Sequence, residues 1–135
     1  MPHLTLQYSA NLDAHTDMGA LCTALAATLV ALRGEDGVVP LFPLIGTRVM
    51  GYPAPYFAVA DGAPDRAFLY MHLLITPGRS DALKKAAGDA VLAAASAHLE
   101  PVFAAQALGM TLHIEEGQPA YEGKRNNLAA HLKAP

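Results

Sequence analysis

Three groups in this sequence join a suitable residue type to a suitable setting: the amine of Pro2 and the guanidinium groups of Arg48 and Arg79. The chain opens Met1-Pro2-His3-Leu4, and the small residue at position 2 favours removal of Met1. Pro2 would then carry a free secondary amine. An ordinary α-amino group titrates at about 7.7–8.0, nearer neutrality than any lysine. Burial or a nearby cation disfavours its charged form and lowers that value further, toward the range a general base needs. The pyrrolidine ring also aims the nitrogen lone pair. Arg48 falls inside a stretch read as a strand, where a charge is costly unless it is paired or lines a cavity. Arg79 falls at a strand-to-helix junction, where helix amides also favour anions. A guanidinium fork matches a carboxylate with two parallel hydrogen bonds. The residues alone leave two readings open for the arginines: carboxylate binding, or a pair of structural salt bridges.

The other reactive side chains point away from catalysis. The histidines at 3, 15, 72, 98, 113 and 131 show no His-x-His or His-Glu-x-x-His spacing, and Cys22 is the single cysteine, so no metal site is expected. His72 and His113 fall within strands and read as hydrogen-bonded structural histidines. Glu115 and Glu116 are neighbours on a strand and must face opposite ways, which makes them a strand end and not an acid dyad. Cys22 lies on the apolar stripe of a predicted helix, as a buried thiol would. No Gly-x-Ser-x-Gly elbow or phosphate loop is present.

The 135 residues suit one domain, 1–135, with a real core. A composition 53% hydrophobic and 16% charged is that of a folded chain, and the apolar excess favours self-association. Net charge is −3 with no basic cluster, so nucleic acid is not an expected partner. One cysteine forbids an intrachain disulfide and suits a reducing compartment. The alanine-rich run 86–108 is interrupted by Asp89, His98, Glu100 and Pro101 and makes a poor membrane span. No secretory signal pattern opens the chain. The expectation is a cytoplasmic protein without a membrane partner.

The elements that must position these groups follow from periodicity. His3 to Tyr8 alternates and predicts a strand with Leu4, Leu6 and Tyr8 on one face. Asp13 is the predicted cap of a helix over 15–33 that Gly34 stops. A second strand is predicted over 44–52 and ends at Pro53 and Pro55. Asp61-Gly62 predicts a tight turn in a hairpin-like arm. The almost continuously apolar run 67–76 predicts a strand buried on both faces. Ser80 caps a second predicted helix, which Pro101 should kink or divide and Gly109 should end. A last strand is predicted over 110–116, then a polar tail, 117–135, with a short terminal helix. The pattern is α+β: two β-α-β units, about 3–52 and 67–116, forming a four-stranded sheet with two helices on one face. The other face of strand 67–76 then needs a cover, and oligomerisation is the simplest one.

Several blocks of the sequence, taken in order, resemble the 5-carboxymethyl-2-hydroxymuconate isomerase family of the tautomerase superfamily. They are Met1-Pro2-His3-Leu4, Phe42-Pro43-Leu44, Gly46-Thr47-Arg48-Val49, Ala60-Asp61-Gly62, Gly78-Arg79-Ser80, Ile114-Glu115-Glu116 and Lys124-x-Asn126-Asn127. The resemblance implies a tautomerase-like two-layer fold assembled as a homotrimer, with no cofactor. It implies Pro2 as catalytic base, and Arg48 and Arg79 as binders of a dicarboxylate or tricarboxylate substrate. The implied reaction turns a 2-hydroxy-diene acid into its 2-oxo tautomer in the catabolism of aromatic compounds. This sequence departs from the family pattern at Ala10 and Gln7, each in place of an acid, and in a longer Gly34–Pro40 loop. Two alternatives stand beside this reading: a non-catalytic ferredoxin-like binding domain, and a tautomerase acting on a different oxo acid.

Overall fold

Apolar alternation becomes a four-stranded sheet in the order β2-β1-β3-β4. The structure is a computed structural model that describes residues 1–132, so the last three positions of the tail lie outside it. The strands are β1 (His3–Ser9), β2 (Arg48–Ala54), β3 (Ala67–Ile75) and β4 (Leu108–Glu116). The helices are α1 (Met18–Ala31), α2 (Asp81–Ala105) and the short α3 (Leu128–His131). β1 runs parallel to β2 and antiparallel to β3, and β3 runs parallel to β4. Each parallel pair is joined through a long helix, as parallel pairing requires.

Leu4, Leu6 and Tyr8 of β1 meet Leu69, Met71 and Leu73 of β3 in one buried layer. Leu21, Leu25 and Leu29 of α1 and Val91, Ala95 and Leu99 of α2 close over it. These are residues three or four apart, the spacing that puts one stripe of a helix on a sheet. Gly88 lets α2 lie close, since a Cβ there would stand 3.2 Å from Ile114.

The predicted boundaries shift where local partners compete. Asp13 does not cap α1: its carboxylate accepts the Tyr8 hydroxyl at 2.9 Å, and Ala10–Ala14 forms a 3-10 turn. Asp17 caps instead, accepting from the Ala20 amide at 2.9 Å. α1 stops at Ala31, before Gly34, because Leu32 turns extended and its carbonyl accepts the Leu41 amide. β2 starts four residues later than predicted, since Leu44–Gly46 winds into a 3-10 turn after Pro43. Pro53 stays inside β2, which an edge strand tolerates. The hairpin-like arm forms no ladder. Its Asp61-Gly62 turn is present, with Gly62 at φ +80°, but Asp61 is held by Arg66 instead of by a strand pair.

α2 runs unbroken through Pro101, whose neighbours Leu99 and Val102 are anchored in the core. It ends at Ala105, and Gly109 belongs to β4. β3 is buried on one face only. Ala67, Leu69, Met71, Leu73 and Ile75 face the helices, whereas Phe68, Tyr70 and His72 are half-buried and Leu74 is 44% exposed on the open face.

Candidate active site

The sheet topology alone gathers the chemistry at one end. Parallel pairing sets the start of β1 beside the start of β2, with His3 opposite Arg48. Antiparallel β3 brings its last residues there, with Leu74 on the other side of His3. β4 runs with β3, so the tail that follows Glu116 leaves from this same end. The amino terminus, Arg48, the turn that carries Arg79 and the tail therefore converge without any need for sequence proximity.

Pro2 is buried, and its carbonyl accepts the Arg48 amide at 3.1 Å. Met1 is present, so the Pro2 nitrogen is an amide and the Met1 amine stands one residue further out. The Met1 side chain lies on Gly46, where a Cβ would come within 2.6 Å of its sulfur. Burial, then the charges of Arg79 and Lys124, push the Met1 amine below its ordinary value, with Glu122 opposing. His3 is also lowered, by burial, then by the charges of the amino terminus and Arg48.

The two arginines sit differently. Among the described residues no carboxylate lies within 4.0 Å of either, so neither is in a salt bridge. Arg48 is exposed, and only its Nη1 is occupied, donating to the carbonyls of Ile45 at 2.7 Å and Thr47 at 3.2 Å. That leaves Nε and Nη2 for a ligand. Arg79 is half-buried and commits all three nitrogens. Nε and Nη2 donate to the Leu41 carbonyl at 3.3 and 3.1 Å, and Nη1 donates to the Thr76 carbonyl at 3.1 Å. Its guanidinium lies 4.7 Å from the centre of the Phe42 ring. Gly78, at φ +124°, makes the turn that swings it there. What Arg79 offers the amine in this arrangement is mainly its charge.

Two clefts share Met1. One, of about 470 Å³, is lined by Met1, His3, Leu74, Ile75, Tyr121 and Glu122 among others. The second, of about 240 Å³, is lined by Met1, Ile45, Arg48, Lys124, Arg125 and Asn126, with Gly123. A larger cleft of about 620 Å³ lies away from the amine, between α2 and β4. Its cations are already neutralised, Lys84 by Asp81 and Glu116 and Lys85 by Asp89, so it offers no comparable charge.

The remaining titratable groups behave largely as their sequence positions suggest. Glu116 turns toward α2 and takes Lys84 at 2.8 Å, while Glu115 lies on the open sheet face with His72 at 3.2 Å. The Tyr70 hydroxyl holds His113 Nδ1 at 2.7 Å. Sequence spacing did not foresee that His72, His113 and Glu115 place one ligand atom each within 4.8 Å of one another, since strand pairing and not a linear motif assembles them. They are the residues that could hold a cation, although each already has a protein partner. Cys22 is half-buried against the core, and burial raises its thiol pKa, which suits packing and not nucleophilic attack. Sequence reasoning missed Lys124 and Arg125. Their tail was recognised as a block, but only the fold shows that it returns to the amino terminus. No helix of the described residues is long and apolar enough to cross a membrane.

Residues 2–132 match the sequence profile of a family described as 5-carboxymethyl-2-hydroxymuconate isomerase. A relative from Escherichia coli, 5-carboxymethyl-2-hydroxymuconate Delta-isomerase, is 29% identical over 133 residues, covering 98% of this chain and all of its own length. A crystal structure of a 5-carboxymethyl-2-hydroxymuconate delta-isomerase is 39% identical with a TM-score of 0.92, over 100% of this chain and 95% of that one. A crystal structure of a 5-carboxymethyl-2-hydroxymuconate isomerase from Deinococcus radiodurans R1 is 34% identical with a TM-score of 0.82, over 98% of this chain and 95% of that one.

Proposed function

This chain belongs to the 5-carboxymethyl-2-hydroxymuconate isomerase family, within the tautomerase superfamily, and we propose that it works through Pro2 as its base. It is an isomerase. Its reaction is the tautomerisation of a 2-hydroxymuconate-type polycarboxylate, 5-carboxymethyl-2-hydroxymuconate by family, in aromatic catabolism. The observation that carries the Pro2 reading is the setting of the amino terminus: Pro2 buried, Arg48, Arg79 and Lys124 around it, and no carboxylate of the described residues bound to either arginine.

Removal of Met1 frees the Pro2 nitrogen as a secondary amine in that setting. Burial and positive charge keep a fraction of it neutral at physiological pH, as they lower the Met1 amine in the structure. The neutral amine takes the proton of the 2-hydroxyl group. The oxygen's electron pair becomes the new carbonyl, and the diene shifts toward a carbon that then receives the proton back from the prolinium. One proton moves from oxygen to carbon, and no external oxidant or reductant is consumed. Arg48, with two nitrogens unoccupied, binds a substrate carboxylate, while Arg79 adds positive charge beside the developing dienolate.

The open face of the sheet carries Tyr52 at 54% and Leu74 at 44% exposure, next to Met50 and Tyr70. We take this as the face that copies of the chain bury in a homotrimer. The lone thiol, Cys22, suits work in the cytoplasm.

The test is Arg48→Ala in protein that starts at Pro2, assayed by the absorbance change as the dienol becomes the ketone. Loss of a charge-assisted hydrogen bond costs about 1.5–3 kcal/mol, or roughly ten- to hundredfold in kcat/KM. An unchanged kcat/KM would remove Arg48 from substrate binding.

A further inference from the structure

We propose that Lys124 and Arg125 of the tail, beside Arg48, form a second carboxylate subsite that selects tricarboxylate over dicarboxylate substrates. The proposal rests on the tautomerase reading above and gives Lys124 and Arg125 a substrate-binding role that reading does not assign.

Among the described residues, the cleft of about 240 Å³ beside Met1 has three cationic side chains in its lining, Arg48, Lys124 and Arg125, and no acid. The whole chain has 9 Lys and Arg against 12 Asp and Glu, so three cations in one small cleft run against the average of the sequence. One carboxylate reaches the group from outside the lining: Glu122 accepts Lys124 Nζ at 2.9 Å. Three positive charges against one negative leave the cluster net positive. Asn126 spends its side-chain oxygen on the Leu128 amide at 3.3 Å, which leaves its NH2 as a further donor.

The neighbouring cleft supplies the complement. Beside His3 and Glu122 it presents Leu74, Ile75, Pro119 and Tyr121 to a ligand, an apolar stretch suited to a flat conjugated chain. Met1 lines both clefts, so the amino terminus of the chain stands at their junction. A substrate with an apolar conjugated middle and charged arms matches that sequence of surfaces. A muconate-type dicarboxylate carries a carboxylate at each end. The tricarboxylate adds one more arm, and Lys124 with Arg125 is the cationic pair left once Arg48 has been given a carboxylate and Arg79 is committed to Leu41 and Thr76. The charge of Lys124 also acts on the Met1 amine, one residue from the Pro2 nitrogen.

The experiment compares Lys124→Met, Arg125→Gln and the double variant with the parent, all starting at Pro2, at a pH where the rate has reached its plateau. The probes are 2-hydroxymuconate and 5-carboxymethyl-2-hydroxymuconate. The expected result is a ten- to hundredfold loss of kcat/KM for the tricarboxylate, carried mainly by KM, and a loss for the dicarboxylate at least tenfold smaller. Both positions are exposed, and circular dichroism checks that the variants fold. Equal losses for both probes, or no loss for either, overturn the subsite. If the parent turns over neither probe, the tautomerase reading fails on its own. Calorimetric titration with propane-1,2,3-tricarboxylate then decides the subsite: tenfold weaker binding to the double variant supports it, and equal binding ends it.

Discussion

Replacing Arg79 by Ala should separate two jobs that one side chain performs. The variant loses the donors that hold the Leu41 carbonyl at 3.1 and 3.3 Å and the Thr76 carbonyl at 3.1 Å, and the stack on Phe42. Two of those bonds share one acceptor and the group is only half-buried. We therefore count about 2 kcal/mol for the hydrogen bonds, below the full value for charged donors. The cation–π contact adds about 0.5–1 kcal/mol. A loss of about 3 kcal/mol in a domain of this size lowers Tm by roughly 10 °C. The kinetic effect is distinct and is read at a temperature where calorimetry shows both proteins folded. Arg79 is one of the causes that lower the Met1 amine. In protein that starts at Pro2 the same charge should act on the proline amine, so its removal should raise that pKa and move the acid limb of kcat/KM to higher pH. Arg79→Lys keeps the charge but cannot make the bidentate contact to Leu41. It should restore the pH limb and only part of the Tm. Scanning calorimetry and a pH–rate profile on the three proteins decide the matter. An Arg79→Ala protein that melts with the parent refutes the anchoring role, and one whose acid limb does not move refutes the electrostatic one.

Light scattering should report about three times the 14.1 kDa chain mass, and Leu74→Asp on the open face should reduce it to one; a monomeric parent would contradict the trimer. Gly46→Ala should cost about 1–3 kcal/mol when Met1 is retained, because the new methyl meets the Met1 side chain. The same substitution should be close to neutral in protein that starts at Pro2. Equal melting shifts in the two forms would show that Met1 does not lie on Gly46.

Strands and helix stripes were legible because burial on one face leaves a period in the sequence. Leu4, Leu6 and Tyr8 read correctly for that reason, and so did the pairing of two β-α-β units. Boundaries were less legible where a distant side chain decides them. Asp13 looks like a cap until Tyr8 is seen to hold it, and Asp17 then takes the role. The continuous apolar run of β3 suggested burial on both faces, but a single chain buries only alternate residues. At the site, Pro2, Arg48 and Arg79 could be picked out by type and setting, whereas their environments could not. For Arg79 the residues left carboxylate binding and a salt bridge both open, and only the fold shows its nitrogens donating to the Leu41 and Thr76 carbonyls. Lys124 and Arg125 gave no local signal, since a charge in a polar tail is unremarked until the chain folds it back beside the amine.

The claim at the centre is that the Pro2 nitrogen is the base, and the most direct test compares protein that starts at Pro2 with protein that retains Met1. Intact mass identifies each form, and circular dichroism and light scattering should show both folding and assembling alike. With 5-carboxymethyl-2-hydroxymuconate as substrate, the form that starts at Pro2 should be active. In the form that keeps Met1 the proline nitrogen is an amide and cannot accept the proton. Loss of general base catalysis should lower its kcat/KM by about 10²–10⁴-fold. Equal kcat/KM in the two forms would contradict the account.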